Sequence, residues 1–170
     1  ISTKDFTIGV IGLGYVGLPL ACEFIHNGIS VIGFDISESK VQQLQSGQSY
    51  IQDISNDTVQ SCMDSNLFTP TTDFSLITNV DVISICVPTP LRKTKDPDMS
   101  YIVSALDSIL PHLTTGQLII LESTTYPGTT EEVLQPRLEE RGFTIGEDLF
   151  LVFSPERVDP GNRSEERRVG

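Results

Sequence analysis

The sequence has few basic residues. Its 170 residues carry 11 Lys and Arg against 23 Asp and Glu, which gives a formal net charge of -12. Nonspecific nucleic-acid binding needs clustered basic side chains to neutralise phosphates, so we expect no nucleic-acid partner. An anionic ligand would have to bind backbone N–H groups and helix N-termini instead of a basic patch.

Cysteine and histidine are also scarce. Cys22, Cys62 and Cys86 lie far apart with no C-x-x-C pair, and His26 and His112 are isolated. Zinc ligands need closely spaced partners, so we expect no metal. Cys22 and Cys86 fall in apolar stretches, which indicates buried, reduced thiols in a cytoplasmic protein.

Long apolar runs are missing too. No run reaches about 18 apolar residues, so we expect no membrane span. The first residues, ISTKDFTIGVIGLG, have neither the basic region nor the small-residue cleavage site of a signal peptide. Internal repeats and low-complexity segments do not occur.

Short apolar, β-branched runs alternate with helix-like stretches along the chain. The predicted strands are 6–11, 30–34, 81–87, 117–121 and 149–153, with LFTPTT at 67–72 as a further short candidate. Most runs are continuous, as in strands buried on both faces of a parallel sheet. The alternation predicts a Rossmann-type, doubly wound α/β fold with a mainly parallel sheet and helices on both faces.

Turn residues mark the ends of the predicted helices. The predicted helices, with their stop signals, are 15–27 before Gly28, 38–46 before Gly47, 55–65, 99–110 before Pro111, and 129–141 before Gly142. In the last of these, Thr129 and Glu132 have the spacing of a capping box. Pro136 lies inside the same helix and predicts a kink there.

A glycine motif follows the first predicted strand. In IGVIGLGYVGLPLA, Gly12, Gly14 and Gly17 stand in G-x-G-x-x-G register, and Asp35 ends the next strand 18 residues after Gly17. This context is typical of dinucleotide binding, with glycines for the turn, for phosphate approach and for packing. A carboxylate at position 35 would accept hydrogen bonds from ribose hydroxyls and repel a 2′-phosphate, which favours NAD over NADP. Lys40 either supports this adenosine side or is a solvated surface lysine.

Three later strands end in polar segments. VPTP (87–90), ESTTYPGTT (122–130) and SPERVDPGN (154–162) gather hydroxyls, prolines and acids. Each alone is compatible with an ordinary loop. Because ligands bind beyond the carboxyl ends of the strands in an open α/β sheet, three such ends on the edge of the glycine motif predict a site.

Together these segments resemble a known family. IGVIGLGYVGLPLA, DVISICVPTPL, LESTTYPGTTEE and FSPERVDPGN are similar to successive signatures of the nucleotide-sugar (UDP-sugar) dehydrogenases, over residues 6–162. The resemblance implies an N-terminal NAD-binding domain. It also implies an enzyme that oxidises the C6 alcohol of a UDP-hexose to a carboxylate in two NAD-dependent steps, through a cysteine thioester that water hydrolyses. A role in making capsule, O-antigen or cell-wall polysaccharide precursors would follow.

The resemblance also assigns residues to roles. The cofactor-binding residues it implies are Gly12, Gly14, Tyr15, Val16, Gly17, Asp35, Lys40, Pro88, Thr89 and Thr124. Thr124 matches a threonine beside the nicotinamide and the catalytic water. Glu156 matches the glutamate of the hydrolytic half-reaction, where a carboxylate polarises water. Its alternative role is an N-cap or a salt-bridge acid.

Arg157 bears on the substrate, and we expect it to contact the sugar nucleotide together with Glu156. The UDP-glucose branch of the family usually has an aromatic residue there, so SPERVDPGN resembles the branch acting on UDP-N-acetylglucosamine or UDP-N-acetylmannosamine. The alternatives are UDP-glucose 6-dehydrogenase, GDP-mannose 6-dehydrogenase and an NAD-binding module without chemistry. The motif SPERVDPGN argues against 6-phosphogluconate and 3-hydroxyacyl-CoA types.

Some of the family's segments have no counterpart in these 170 residues. The Gly-x-Cys-x-Pro segment, the catalytic lysine, the central dimerisation helix and the UDP-binding C-terminal domain are not found, and Cys86 is a strand residue. We therefore expect NAD binding without turnover, in part of a longer protein that forms a homodimer or larger oligomer. The expected NAD-binding domain is 1–162. Residues 163–170, RSEERRVG, resemble a translated sequencing adapter, so we expect a non-native tail; the alternative is a solvated charged tail.

Overall fold

Six parallel strands form a single sheet in the computed structural model, which describes residues 6–90, 97–123, 125 and 128–155. Their order is β3-β2-β1-β4-β5-β6. The strands are β1 (Thr7–Ile11), β2 (Ser30–Phe34), β3 (Phe68–Thr71), β4 (Val82–Ile85), β5 (Leu118–Leu121) and β6 (Phe150–Phe153). The six predicted strands and the doubly wound fold are confirmed, and the short candidate at 67–72 is β3.

The sheet changes direction between β1 and β4. The chain first builds outward from β1 through β2 to β3, and then returns to pair β4 with the other side of β1. Gly9 of β1 is thus level with Ile32 on one side and Ile83 on the other. At such a reversal the loops after the two strands diverge and leave a crevice at the carboxyl edge of the sheet.

Helices cover both faces of the sheet. They are α1 (Gly17–His26), α2 (Glu38–Gln45), α3 (Asn56–Asp64), α4 (Ser100–Ile109) and α5 (Gln135–Glu139). One core packs α4 and α5 on the sheet through Ile102, Leu106 and Leu138, and a second core packs α1 and α3 through Leu18 and Val59. All five of these side chains are fully buried.

Glycines end the helices as expected. Gly28, Gly47 and Gly142 follow α1, α2 and α5 with positive φ angles of 76°, 73° and 90°. Each accepts the left-handed conformation that closes a helix without the steric cost of a Cβ. In α4 the α-helical conformation ends at Ile109, and Pro111 lies in the 3-10 turn that follows.

The helix predicted over 129–141 is irregular. A π-helical turn over Thr130–Leu134 precedes α5. Pro136 has no N–H to donate to the carbonyl of Glu132, so the regular bonding pattern cannot run through this segment. The predicted capping box is wrong, because Thr129 has helical backbone angles and its side chain makes no capping hydrogen bond.

β6 is less buried than the sequence predicts. Phe150, Val152 and Phe153 are each more than two-fifths exposed. β6 is an edge strand that pairs only with β5 among the described strands. The continuous apolar pattern of 149–153 predicts burial on both faces, but an edge position leaves part of that surface open in the described part of the chain.

The three thiols are core residues. Cys22, Cys62 and Cys86 are buried thiols, as expected for Cys22 and Cys86. Burial, followed by the neighbouring Cys62, raises the pKa of Cys22 to about 12, and burial also raises the pKa of Cys62. Cys22 and Cys62 are therefore protonated at neutral pH and serve packing, since the thiolate is the nucleophilic form. Among the described residues, no helix is long and apolar enough to cross a membrane.

Candidate functional site

The loop between β1 and α1 carries the glycine motif at the reversal of the sheet. Gly12 has a φ of +90°, and a Cβ on it would lie 2.9 Å from the carbonyl oxygen of Cys86. Its N–H donates to the Phe34 carbonyl at 2.7 Å. Position 12 therefore needs glycine for both its backbone angle and its contact with the end of β4.

The other two glycines meet different requirements. A Cβ on Gly17 would collide with the backbone carbonyl oxygen of Gly12, so Gly17 allows the first turn of α1 to pack against the loop. Among the described residues, a Cβ on Gly14 would meet no atom within 4 Å. Packing within the described part of the chain therefore does not require glycine at position 14. Open space above the backbone is what a ligand that approaches it closely needs.

The N-terminus of α1 faces this open space without a cap. The N-cap residue Val16 makes no side-chain capping bond, and the first turn contains no acidic residue. The first N–H groups of a helix have no acceptor inside it, and the helix dipole adds partial positive charge there. The end of α1 can therefore accept an anion. Tyr15, beside it, is exposed, and Val16 packs against the second core.

Asp35 joins the glycine loop to the start of α2. Its carboxylate is buried and accepts hydrogen bonds from Leu13 N at 3.1 Å and Ser37 N at 2.9 Å. Lys40 Nζ lies 3.3 Å from Oδ2 of the same carboxylate. Lys40 is thus paired with Asp35 and is not a solvated surface lysine. The structure brings the predicted acid and base together.

A cleft of about 200 Å³ extends from Asp35 across the ends of β1, β2 and β4. Its walls are mainly apolar, and the residues lining it are Ile11, Gly12, Phe34, Asp35, Ile36, Lys40, Phe74, Val87, Pro88, Tyr101, Ser104, Ala105 and Ser108. Ile36 is 85% exposed and Tyr101 46% exposed. Apolar side chains left exposed at the mouth of a cleft suit a flat aromatic group. Pro88 lines this cleft, whereas Thr89 does not line it in the described part of the chain.

The ends of β4 and β5 share a polar cluster. Ser84 Oγ donates to Glu122 Oε2 at 3.0 Å, and Cys86 Sγ lies 3.7 Å from the same oxygen. Ser123 Oγ donates to the Val87 carbonyl at 2.8 Å, which ties the two strand ends together. Thr125 Oγ1, two residues on, is buried without a hydrogen-bond partner in the described part of the chain. Such a group is costly unless something else supplies a partner.

Three predicted site residues are not placed. Thr124, Glu156 and Arg157 lie outside the described residues. Two further contacts in this region are not predicted from the sequence. Tyr50 bonds to the glycine loop, and Ser84 bonds to Glu122. Ser84 could have been noticed, because it is a polar residue inside the apolar run DVISICV. No local pattern marks Tyr50.

Comparisons with known proteins agree with this geometry. Residues 6–168 match the model of the UDP-glucose/GDP-mannose dehydrogenase family, NAD binding domain. The UDP-N-acetyl-D-glucosamine 6-dehydrogenase of Pseudomonas aeruginosa is 38% identical over 98% of this chain, and the UDP-N-acetyl-D-mannosamine dehydrogenase of Methanococcus maripaludis is 36% identical over 91%. These matches span 38% and 35% of the two relatives, so the chain spans little more than a third of their length.

A solved structure gives the same picture. The UDP-N-acetyl-mannosamine dehydrogenase Cap5O from Staphylococcus aureus superposes with a TM-score of 0.83 at 40% identity. The superposition covers 91% of this chain and 38% of that one. The fold and the sequence thus agree on one family and on the part of it that this chain represents.

Proposed function

Since the chain belongs to the UDP-glucose/GDP-mannose dehydrogenase family, as its NAD-binding domain, we propose that it is the cofactor-binding part of a UDP-N-acetylhexosamine 6-dehydrogenase. The observation that carries the proposal is the glycine loop with its open space above Gly14 and its buried carboxylate at Asp35. NAD is the family's cofactor.

The described residues fit a dinucleotide in three places. Gly14 and the uncapped start of α1 accept the pyrophosphate, with Tyr15 and Val16 on the same turn. Asp35 and Lys40 hold the adenosine ribose. The apolar cleft between Ile36 and Tyr101, with Pro88 on its wall, takes the adenine.

The bonds of Asp35 explain how both hydroxyls of a ribose could be bound. A carboxylate offers about four acceptor positions, and Leu13, Ser37 and Lys40 already use three. About one position is left for a hydroxyl, so Asp35 alone serves one hydroxyl well. The remaining N–H groups of Lys40 can donate to the oxygen of the second. This arrangement places negative charge where NADP has its 2′-phosphate, which favours NAD.

NAD, when bound, would supply the hydride acceptor for oxidation of the sugar. The residues of this chain that would act on the water follow β5 and β6 in the sequence. Thr124 positions the water, and Glu156 polarises it toward a thioester formed on a cysteine outside these 170 residues. Thr89 contacts the cofactor after β4, and Arg157 contacts the sugar nucleotide. The buried hydroxyl of Thr125 has no hydrogen-bond partner among the described residues, which supports a ligand or a further segment of protein at this edge.

The substrate proposal is supported by two observations. The relatives described above are N-acetylhexosamine dehydrogenases, and Arg157 stands where the UDP-glucose branch usually has an aromatic residue. UDP-glucose and GDP-mannose are the alternatives, because the family model includes both activities. A module that binds NAD without chemistry is the other alternative, and the full reading frame decides it by the presence of a Gly-x-Cys-x-Pro segment.

The first test is binding and turnover by the 170-residue chain. We expect calorimetric titration to show NAD binding at least about tenfold tighter than NADP binding, because the Asp35 carboxylate repels a 2′-phosphate. We expect no NADH formation with any UDP-sugar, because no catalytic cysteine segment is among these residues. Failure to bind NAD contradicts the cofactor assignment. NADH production by this chain alone contradicts the proposal that it binds the cofactor without catalysing the reaction.

The second test is substrate choice by the full-length enzyme. With UDP-N-acetylglucosamine, UDP-N-acetylmannosamine, UDP-glucose and GDP-mannose offered separately, we expect NADH formation with an N-acetylated sugar, in a ratio of two NADH per sugar. The oligomeric state can be measured on the same preparation. A preference for UDP-glucose or GDP-mannose would rule out the N-acetylhexosamine proposal and leave the family assignment intact.

A further inference from the structure

Tyr50 makes a direct contact with the glycine loop from a distant part of the sequence. It lies in the segment between α2 and α3, and its side chain is half-buried. Its hydroxyl donates to the carbonyl oxygen of Leu13 at 2.6 Å, which is short for a bond between two oxygens. Tyr50 therefore acts on the loop that the proposed function assigns to the pyrophosphate.

The backbone of Leu13 is held on both sides. Its N–H donates to Asp35, and its carbonyl accepts from Tyr50. The side chain of Leu13 is fully buried. Two side chains from different segments thus fix the peptides between Gly12 and Gly14, where the freedom of glycine would otherwise let the loop adopt many conformations.

The same tyrosine also contacts Lys40. The ammonium nitrogen of Lys40 lies 5.5 Å from the centre of the Tyr50 ring, within the range of a cation–π interaction. Lys40 in turn pairs with Asp35. Each of these four residues therefore contacts two of the others: Leu13 contacts Asp35, Asp35 contacts Lys40, Lys40 contacts Tyr50, and Tyr50 contacts Leu13. Burial, followed by the charge of Asp35, raises the pKa of Tyr50, so its hydroxyl stays protonated and remains a donor.

We propose that Tyr50 is a positioning residue for the dinucleotide: its hydroxyl holds the glycine loop ready for phosphate, and its ring keeps Lys40 beside Asp35. This inference rests on the proposed function. A Lys40 released from the ring can swing toward the 2′ position of the ribose, where its charge favours a 2′-phosphate. Tyr50 therefore contributes to affinity through its hydroxyl and to the preference for NAD through its ring.

Two substitutions separate these contributions. Tyr50→Phe removes the hydroxyl and keeps the ring, and Tyr50→Leu removes both. Ile51→Val is the matched control, since Ile51 is a buried neighbour in the second core and its side chain has no hydrogen-bonding group. Hydrogen exchange of residues 12–17 without ligand reports on the loop, and titrations with NAD and NADP report on binding.

We expect Tyr50→Phe to speed exchange in the loop and to weaken NAD binding by about fivefold, as for a typical lost hydrogen bond. Its ratio of NAD to NADP affinity stays that of the unmodified chain. Tyr50→Leu, unlike Tyr50→Phe, lowers that ratio by about threefold, as expected for the loss of an exposed cation–π contact. Ile51→Val lowers the melting temperature slightly and leaves loop exchange and both affinities unchanged.

Unchanged loop exchange in Tyr50→Phe, or equal changes in Ile51→Val, overturns the proposal. An unchanged ratio in a folded Tyr50→Leu overturns the role of the ring. If the unmodified chain does not bind NAD, the proposed function fails. Faster loop exchange in Tyr50→Phe would then still support Tyr50 as the residue that holds the loop. Tyr50→Phe preserves the ring and the packing, so the test does not depend on whether Tyr50→Leu folds.

Discussion

Alanine at Gly17 is expected to destabilise the fold, whereas alanine at Gly14 is expected to leave it folded and unable to bind NAD normally. At Gly17 the added Cβ collides with the Gly12 carbonyl, and backbone cannot move aside as a flexible side chain can. We expect a loss of about 3 kcal/mol, at the upper end of overpacking effects. For a domain of this size that lowers the melting temperature by roughly 6–12 °C.

At Gly14 the same substitution meets no atom of the residues that the structure describes. Its φ is not in the left-handed region, so alanine fits the backbone and is expected to be neutral or to stabilise by up to about 1 kcal/mol. The methyl group instead occupies space that a pyrophosphate would use. We expect NAD affinity to fall at least about tenfold, equivalent to about 1.4 kcal/mol.

Thermal unfolding and calorimetric titration of the two variants form a matched pair, because the chemical change is identical. The expected pattern is low stability for Gly17→Ala, and full stability with weak binding for Gly14→Ala. If Gly17→Ala has the same melting temperature as the unmodified chain, the loop relaxes easily around the added Cβ. Normal NAD binding by Gly14→Ala would show that the open space above Gly14 is not where the cofactor binds.

The sequence predicts those features whose signals are local. The apolar runs of β1, β2 and β4, the glycines of the first loop and Asp35 all lie within short segments, and the structure places them as expected. Strands of a parallel sheet carry continuous apolar runs because both faces of the sheet are covered. These strands can therefore be recognised in the sequence before the fold is known. The reversal of the sheet between β1 and β4 is given by the structure and not by these local signals, since doubly wound sheets occur with more than one strand order.

Features that depend on distant contacts are not predictable in this way. Tyr50 and Leu13 are 37 residues apart, and Ser84 and Glu122 are 38 residues apart. Nothing near either member of a pair indicates its partner. The exposure of β6 has the same origin, since its apolar pattern is that of a buried strand and its position at the edge of the described strands leaves it open. Thr124, Glu156 and Arg157 stay predictions of the sequence.

Asparagine at Asp35 is expected to have a large effect on both affinity and cofactor preference. The carboxylate accepts from Leu13 N, Ser37 N and Lys40 through both of its oxygens. An amide keeps the shape but has one acceptor oxygen, so a buried N–H loses its partner and Lys40 loses its counter-ion. Hydrogen bonds to charged groups contribute about 1.5–3 kcal/mol, so we expect NAD binding to weaken by about 10–100-fold.

The preference for NAD over NADP should fall in the same variant, because Asp35→Asn removes the charge that repels a 2′-phosphate and frees the Lys40 ammonium to attract one. Asp53→Asn is the matched control, because Asp53 is exposed and the net charge changes equally. Titrations with both cofactors, well below the melting temperature of each variant, separate affinity from stability. If Asp53→Asn shifts the ratio as much as Asp35→Asn, the discrimination arises from the overall charge of -12 and not from the buried carboxylate. If neither variant shifts it, Asp35 serves the loop alone, and the preference for NAD must be set elsewhere in the cleft.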